Sequence, residues 1–314
     1  MFQVTFLGTS ASAPSYYRGL SAQIIQHNEH RFLIDCGEGT QRQILRSGLG
    51  FKRLNRILIT HGHLDHILGL GGLISTLTRW ETMDEIVIQG SARALERIHD
   101  LLFRVVFRGV RPPVDIVLQP IREGVIFENK DFTVRTFPVN HRGAEAYGFL
   151  FEEKARRPFL VEKAEALGVP PGPQRGELVR GNPITLPDGR TIQPDDVLGP
   201  EMRGTRYAHV GDAGTTADLE PYLREVDALT IEATYLESEA EMARQFGHLT
   251  ARQAALLARQ ANVGHLLLTH ISRRYRERDV IEEARQAFPA TSVVRDFDTF
   301  QIRRGECVRL QEGE

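Results

Sequence analysis

The feature that most limits this chain is the hexapeptide His61-Gly62-His63-Leu64-Asp65-His66, set directly behind the short apolar run Asn55–Thr60. Imidazole and carboxylate are donors that suit zinc and similar divalent ions. A single loop histidine carries little information. Four ligand-type side chains within six positions, all delivered by the end of one strand, describe a metal site. Two histidines two apart converge on one ion from tight backbone, and the Asp-His pair that follows faces a second ion close by. Two such ions clamp the attacking and leaving oxygens of a phosphoryl displacement. Three more candidates close other strands: His141 after Phe132–Val139, Asp212 after Arg206–Val210, and His270 after His265–Thr269. The expected division gives His61, His63 and His141 to one ion and Asp65, His66 and His270 to the other, with Asp212 bridging. His27, His30, His99, His209 and His265 lack such company and read as surface or core residues.

Strand-like runs cover Phe2–Leu7, Ser21–Gln26, Arg31–Asp35, Ile86–Gln89, Asp115–Gln119, Val125–Glu128, Tyr147–Glu152 and Ala228–Glu232, with helical patterning over Thr40–Ser47, Ile67–Thr78, Ala92–Phe103 and Thr250–Ala261. Thr250 is a plausible N-cap. Hairpin-like pairs occur beside crossovers, so an α/β sandwich of two mixed sheets with outer helices fits better than a doubly wound parallel sheet. From about Lys154 to Gly204 the texture changes to V-P-P-G-P-Q-R-G, L-P-D-G-R and Q-P-D-D, with a short helix expected at Glu162–Leu167 and a hairpin around Leu186–Arg190. A loop this long inside a compact domain tends to be functional. The expectation is one domain over 1–314 with an inserted flexible arm over 154–204.

Composition narrows the class. With 41% hydrophobic and 25% charged residues the chain buries a core without help, and two cysteines, Cys36 and Cys307, suit a reducing compartment rather than a disulfide framework. No run reaches membrane-spanning length, and Met1–Gly8 has no leader pattern, so a cytoplasmic location is expected. A net charge of −2 argues against an abundant non-specific nucleic-acid binder, but not against an enzyme with a local basic surface.

The H-x-H-x-D-H segment with its later His, Asp and His resembles the metallo-β-lactamase superfamily. Within it, five segments resemble the ribonuclease Z family: Asp35-Cys-Gly-Glu-Gly-Thr-Gln41, Ile231-Glu-Ala-Thr234, Gly247-His-Leu-Thr250, Leu268-Thr-His-Ile-Ser-Arg-Arg-Tyr275, and Leu167-Gly-Val-Pro-Pro-Gly-Pro173. Three departures stand out: Pro14-Ser-Tyr-Tyr-Arg18-Gly19 lacks a Lys and an Asn of the family pattern, Ile231 replaces a His, and Ala213 replaces a Thr.

The resemblance implies an αββα fold and a zinc-dependent endoribonuclease, with two Zn2+ per subunit (Mn2+ or another divalent ion being possible), acting on the 3′ trailer of precursor tRNA. It implies Asp65 as ligand and proton acceptor. His248 is the expected donor to the leaving 3′-oxygen, oriented and kept protonated by Glu232. It also implies a homodimer and an arm that binds tRNA, with Pro171, Gly172 and Pro173 in contact. Arg273 or Arg274 reaches phosphate, Arg274 matching the family position better. The alternatives are a hydrolase of small phosphodiesters or sulfate esters, a non-catalytic RNA-binding protein and, more remotely, a redox enzyme of the same fold.

Overall fold

The computed structural model describes residues 1–79 and 83–310. Two units separate along the chain, one formed by Met1–Glu152 with Thr205–Glu314 and the other by Glu153–Gly204.

In the larger unit the first strands are β1 (Phe2–Gly8), β2 (Ala22–His27), β3 (His30–Ile34), β4 (Arg56–Leu58), β5 (Glu85–Gly90) and β6 (Asp115–Pro120). There follow β7 (Gly124–Glu128), β8 (Phe132–His141) and β9 (Ala144–Glu153). The smaller unit carries β10 (Ile184–Thr185) and β11 (Thr191–Ile192). The chain then returns through β12 (Arg206–His209), β13 (Ala228–Glu232), β14 (Leu266–Thr269), β15 (Thr291–Val293), β16 (Thr299–Arg303) and β17 (Glu306–Leu310). Among the described residues these make an eight-stranded sheet, β17-β16-β1-β2-β3-β4-β5-β6, and a seven-stranded sheet, β15-β14-β13-β12-β9-β8-β7. Both are mixed: β3, β4, β5 and β6 run parallel in one, and β12, β13, β14 and β15 in the other.

Alternation along each strand sorts its side chains into layers. Phe2, Val4 and Phe6 of β1 meet Phe149, Phe151, Tyr207 and Leu267 of the other sheet in the central core. The neighbours Leu7, Ile24 and Leu33 face outward onto helices 40–46, 70–79 and 92–99. On the far side Leu229, Ile231, Leu266 and Leu268 pack against helices 251–260 and 277–287. The result is the four-layer helix–sheet–sheet–helix sandwich expected. No helix among the described residues is long and apolar enough to cross a membrane.

Local differences have local causes. The expected helix from Ala92 is α-helical only to His99 and then widens into π turns over Asp100–Val106, closed by Phe107 N–H donating to Leu102 O. The patterned region after Asp65 is two helices, Leu64–Ile67 and Leu70–Arg79. Between them Gly69 lies so close to Gly37 that a Cβ would come within 2.0 Å of the Gly37 carbonyl oxygen. Thr250 is the N-cap foreseen, its hydroxyl accepting from Gln253 N–H.

The smaller unit has its own core of Ala164, Val169, Leu178, Ile184, Leu186, Ile192 and Val197. Its helices run Val161–Ala166, Pro173–Val179 and Pro194–Val197, and β10–β11 form an antiparallel pair around the Leu186–Arg190 turn.

Candidate metal centre

The carboxyl ends of parallel strands supply most of the centre, the usual ligand-binding edge of an α/β sheet. β3 and β4 end in register at Ile34 and Leu58, so Asp35 (φ 55°) and the Thr60–His61 segment emerge together. In the other sheet Glu232 of β13 pairs with Thr269 of β14, placing Glu232 beside His270. β12 is followed by Gly211 at φ 72°, where a Cβ would come within 3.1 Å of the Thr60 side chain. Only glycine turns the chain there at little cost, and the turn carries Asp212 into the centre. β8 ends on His141 itself.

The seven side chains expected as ligands converge. His63 Nδ1 lies 2.8 Å from His61 Nε2 and 3.3 Å from His141 Nε2. Asp212 Oδ2 is 3.9 Å from both His61 Nε2 and His141 Nε2. The same oxygen is 3.5 Å from His66 Nε2 and 3.5 Å from His270 Nε2. Asp65 Oδ2 is 3.8 Å from His66 Nε2 and 3.5 Å from His270 Nε2, and it accepts from Ser12 N–H at 3.0 Å. The donors fall into two groups, His61, His63, His141 and Asp212 in one and Asp65, His66 and His270 in the other, with Asp212 Oδ2 close to both.

In four of the five histidines the nitrogen facing away from the centre is anchored. His66 Nδ1–H donates to Asp35 Oδ2 at 2.8 Å, and His141 Nδ1–H donates to the Gly247 carbonyl at 2.7 Å. Thr60 gives its hydroxyl proton to Asp35 Oδ2 at 2.8 Å, so its oxygen accepts from His61 Nδ1–H at 3.0 Å. Thr234 likewise donates to Glu232 Oε2 at 2.5 Å and accepts from His270 Nδ1–H at 2.8 Å. These bonds anchor Nδ1 and turn Nε2 toward the centre, the arrangement of metal-ligating imidazoles. His66 Nε2, His270 Nε2 and Asp212 Oδ1 are buried without a hydrogen-bond partner among the described residues. Buried polar atoms are seldom left so, and the donor set fits a divalent metal site.

Burial drives His61 well below the ordinary imidazole value and His63 down to about 4; it lowers His141 as well. These three are neutral ligands-in-waiting. Burial opposes ionisation of Asp212, but His270 and His66 outweigh it and hold the carboxyl well below its usual range. Asp65 is also held low: burial works against it and is outweighed by the nearby imidazoles of His270 and His66. For His66 burial is likewise overcome, here by Asp212 and Asp35, and the imidazole lies well above its ordinary value.

His248 sits between two helix ends. Helix 240–246 stops at Gly247, in the left-handed region, and helix 251–260 begins on the Thr250 cap, so two residues span a fixed gap. Its Nδ1–H is shared between Glu232 Oε1 at 3.0 Å and Oε2 at 3.1 Å, and its ring lies 5.2 Å from that of His141. Burial would lower its pKa, but Glu232 first, then Asp212 and Asp65, push it up to about 9.

Other expected residues stand elsewhere. Arg274 is half-exposed and tied to Glu239 at 2.5 Å. Pro171, Gly172 and Pro173 are exposed in the smaller unit, Pro173 opening the helix 173–179. Ile231 is buried in the outer core, pointing away from Glu232, and Ala213 contributes a backbone N–H to Glu232 Oε1 at 2.7 Å. The altered Pro14–Gly19 loop is anchored by Arg18, which binds Glu277, Thr9 and the Val294 carbonyl. Its Tyr16 and Tyr17 are 93% and 83% exposed and border a cleft of about 1090 Å³ that also takes in Arg42 and Arg273. That cleft has five arginines against three carboxylates in its wall, a local positive excess on a chain of net charge −2. Sequence reasoning missed Asp35, Thr60 and Thr234 as orienting groups. Asp35 and Thr234 stood in quoted motifs, but their role depends on contacts between strand ends.

Residues 173–271 match the family described as Beta-lactamase superfamily domain, and residues 2–157 match that described as Anti-Pycsar protein Apyc1. The chain is 47% identical to the ribonuclease Z of Bradyrhizobium diazoefficiens over 95% of its own length and 99% of the relative's. It is 37% identical to that of Methanothermobacter thermautotrophicus, covering 96% and 97% of the two chains. Among solved structures it is similar to human tRNase Z, short form, with a TM-score of 0.67 and 23% identity over 96% of this chain and 99% of that one. That last likeness speaks for the fold, and the full-length identities for the family: the chain belongs to the ribonuclease Z family of the metallo-β-lactamase fold.

Proposed function

We propose that this chain is a metal-dependent endoribonuclease that removes the 3′ trailer from precursor tRNA, leaving a 3′-hydroxyl on the tRNA and a 5′-phosphate on the trailer. The observation that carries the reading is the Glu232–His248 pair beside the two donor groups: a metal-binding cluster with its own buried proton donor. In this reading His61, His63 and His141 would hold one zinc ion and Asp65, His66 and His270 a second, with Asp212 contributing to both; manganese would be the substitute. Bound there, the ions supply Lewis acidity toward the phosphoryl oxygens and lower the pKa of coordinated water.

The chain's own groups do the rest. Asp65, ionised and fixed by Ser12 N–H, accepts the proton of the attacking water. Glu232 takes the Nδ1–H of His248, so the proton for the leaving 3′-oxygen is the one on Nε2. The cleft beside the centre, with two exposed tyrosine rings and with Arg42 and Arg273 free of ion pairs among the described residues, suits the unpaired end of an RNA: aromatic faces stack on bases and guanidinium groups meet phosphates. Arg274 contacts a phosphate only by exchanging its ion pair with Glu239. The unit Glu153–Gly204, with Pro171, Gly172 and Pro173, serves as the exosite that grips tRNA by shape and backbone. The working form is a homodimer in the cytoplasm.

The test is cleavage of an end-labelled tRNA precursor with a 3′ trailer by metal-loaded protein, alongside a chelated sample and Asp65→Ala. One metal-dependent cut near the discriminator base, lost in the variant, supports the reading. Hydrolysis of small phosphodiesters without any cut in the precursor sinks it in favour of a small-ester hydrolase.

A further inference from the structure

Behind the metal centre lies a small cavity of about 20 Å³, lined by Gln23, Asp35, His66, His209, Gly211 and Asp212 among others. It sits where β2 of one sheet faces β12 of the other. Four buried atoms of its lining residues have no hydrogen-bond partner among the described residues: His66 Nε2 and His270 Nε2, which face Asp212 Oδ2 in the metal centre, and His209 Nε2 and Asp212 Oδ1. His209 is 5% exposed and Asp212 3%.

The hydrogen bonds around His209 decide which nitrogen carries the proton. Tyr207 donates its hydroxyl to Thr230 Oγ1 at 2.8 Å, so its oxygen accepts from Gln23 Nε2–H at 3.0 Å. The second proton of that amide nitrogen points at His209 Nδ1, 2.9 Å away. Nδ1 is therefore the acceptor and Nε2 carries the hydrogen. Burial also pushes the His209 imidazole down to about 4, so the ring is neutral at physiological pH. The cavity thus has an N–H donor in one wall and a carboxylate oxygen in another. A cation would face the N–H, and an anion the carboxylate. An occupant must accept from the first and donate to the second, and the volume holds one water molecule.

We propose that one ordered water, accepting from His209 Nε2–H and donating to Asp212 Oδ1, makes His209 a positioning residue for the metal-bridging carboxylate. The inference rests on the reading of Asp212 as the bridge. Asp212 Oδ2 faces five histidine nitrogens, and among the described residues no group hydrogen-bonds its second oxygen. The water would supply that hold, linking the centre to a polar chain, His209–Gln23–Tyr207–Thr230, that crosses between the sheets.

Two isosteric variants separate this role from plain packing. His209→Asn keeps an acceptor near the position of Nδ1 for Gln23 and loses the distal donor. His209→Gln keeps a donor near the position of Nε2 and loses the proximal acceptor. Zinc affinity by chelator competition, and the absorption spectrum of the cobalt-substituted protein, are read on both. His209→Asn is expected to bind zinc about 10- to 100-fold more weakly, the usual loss for a removed ligand-orienting contact, with an altered cobalt spectrum. His209→Gln should stay within roughly threefold of the parent. The opposite order, or two variants that both match the parent, overturns the proposal. So does a high-resolution crystal structure of the parent protein without a water between His209 Nε2 and Asp212 Oδ1. None of these readouts uses RNA, so a failure of tRNA cleavage with the water and the variant order intact counts against the proposed substrate alone.

Discussion

The two halves of the centre repeat one device and use it differently. In the first sheet Asp35 accepts from the Thr60 hydroxyl and from His66, and Thr60 in turn accepts from His61. In the second sheet Glu232 accepts from the Thr234 hydroxyl and from His248, and Thr234 in turn accepts from His270. Each half is a carboxylate at a strand end, a threonine passing its orientation to one ligand histidine, and a second histidine held directly. The difference lies in that second histidine. His66 Nε2 is buried, unpartnered and 3.5 Å from the shared Asp212 oxygen, whereas the atom of His248 facing that oxygen at 3.9 Å is the Nδ1 already committed to Glu232. The same carboxylate thus aims a ligand in one half and holds a proton donor in the other.

The largest expected effect breaks both halves at once. Asp212→Ala removes the oxygen they share, and precursor cleavage should fall at least about 10³-fold, since metal-ion stabilisation is worth several kcal/mol and each 1.36 kcal/mol is tenfold. Elemental analysis should show the metal lost; a variant that retains both ions would contradict the shared-bridge account. Asp35→Asn touches the first half alone and should weaken metal binding roughly 10- to 100-fold, read by chelator competition, while leaving the pH profile of the residual activity in place.

Glu232→Gln sharpens the contrast through pH. A proton donor works while protonated, so activity in the parent should persist below about 9 and fall as pH rises through it. Removing the Glu232 charge lowers the His248 pKa, and the alkaline limb of the pH–rate profile should move toward neutrality. An unmoved limb would mean that His248 is not the titrating acid. The smallest effect concerns His66. With its pKa raised by Asp212 and Asp35 it carries an extra proton without metal, and coordination must expel it. Calorimetric titration of metal into the chelated protein in buffers of different ionisation heat should show about one proton released near pH 7. Asp35→Asn should reduce that release.

Much of this was legible in the sequence, for physical reasons. The donors cluster in His61–His66 or close strands with strong apolar patterns, so His141, Asp212 and His270 announced themselves by position. Hidden parts depend on contacts across long separations. Asp35 meets His66 and Thr60 only because β3 and β4 run parallel, and His209 meets Gln23 only because the two sheets stack. The closing strands β16 and β17 carry no local pattern strong enough to be read, yet β16 pairs with β1 nearly the whole chain away. The core of the stretch Lys154–Gly204 is hidden in the sequence because its apolar residues are scattered among Pro, Gly and polar residues, and they meet only after folding.

The measurement that tests the account most directly compares His248→Ala with the parent on two substrates: precursor tRNA, whose leaving ribose oxygen needs a proton, and bis(p-nitrophenyl) phosphate, whose leaving phenolate does not. The account predicts a loss of about 10²- to 10⁴-fold on the RNA and little change on the aryl ester. An equal loss on both substrates would show that His248 supports the metal centre as His66 does, and the distinction between the two halves would fall.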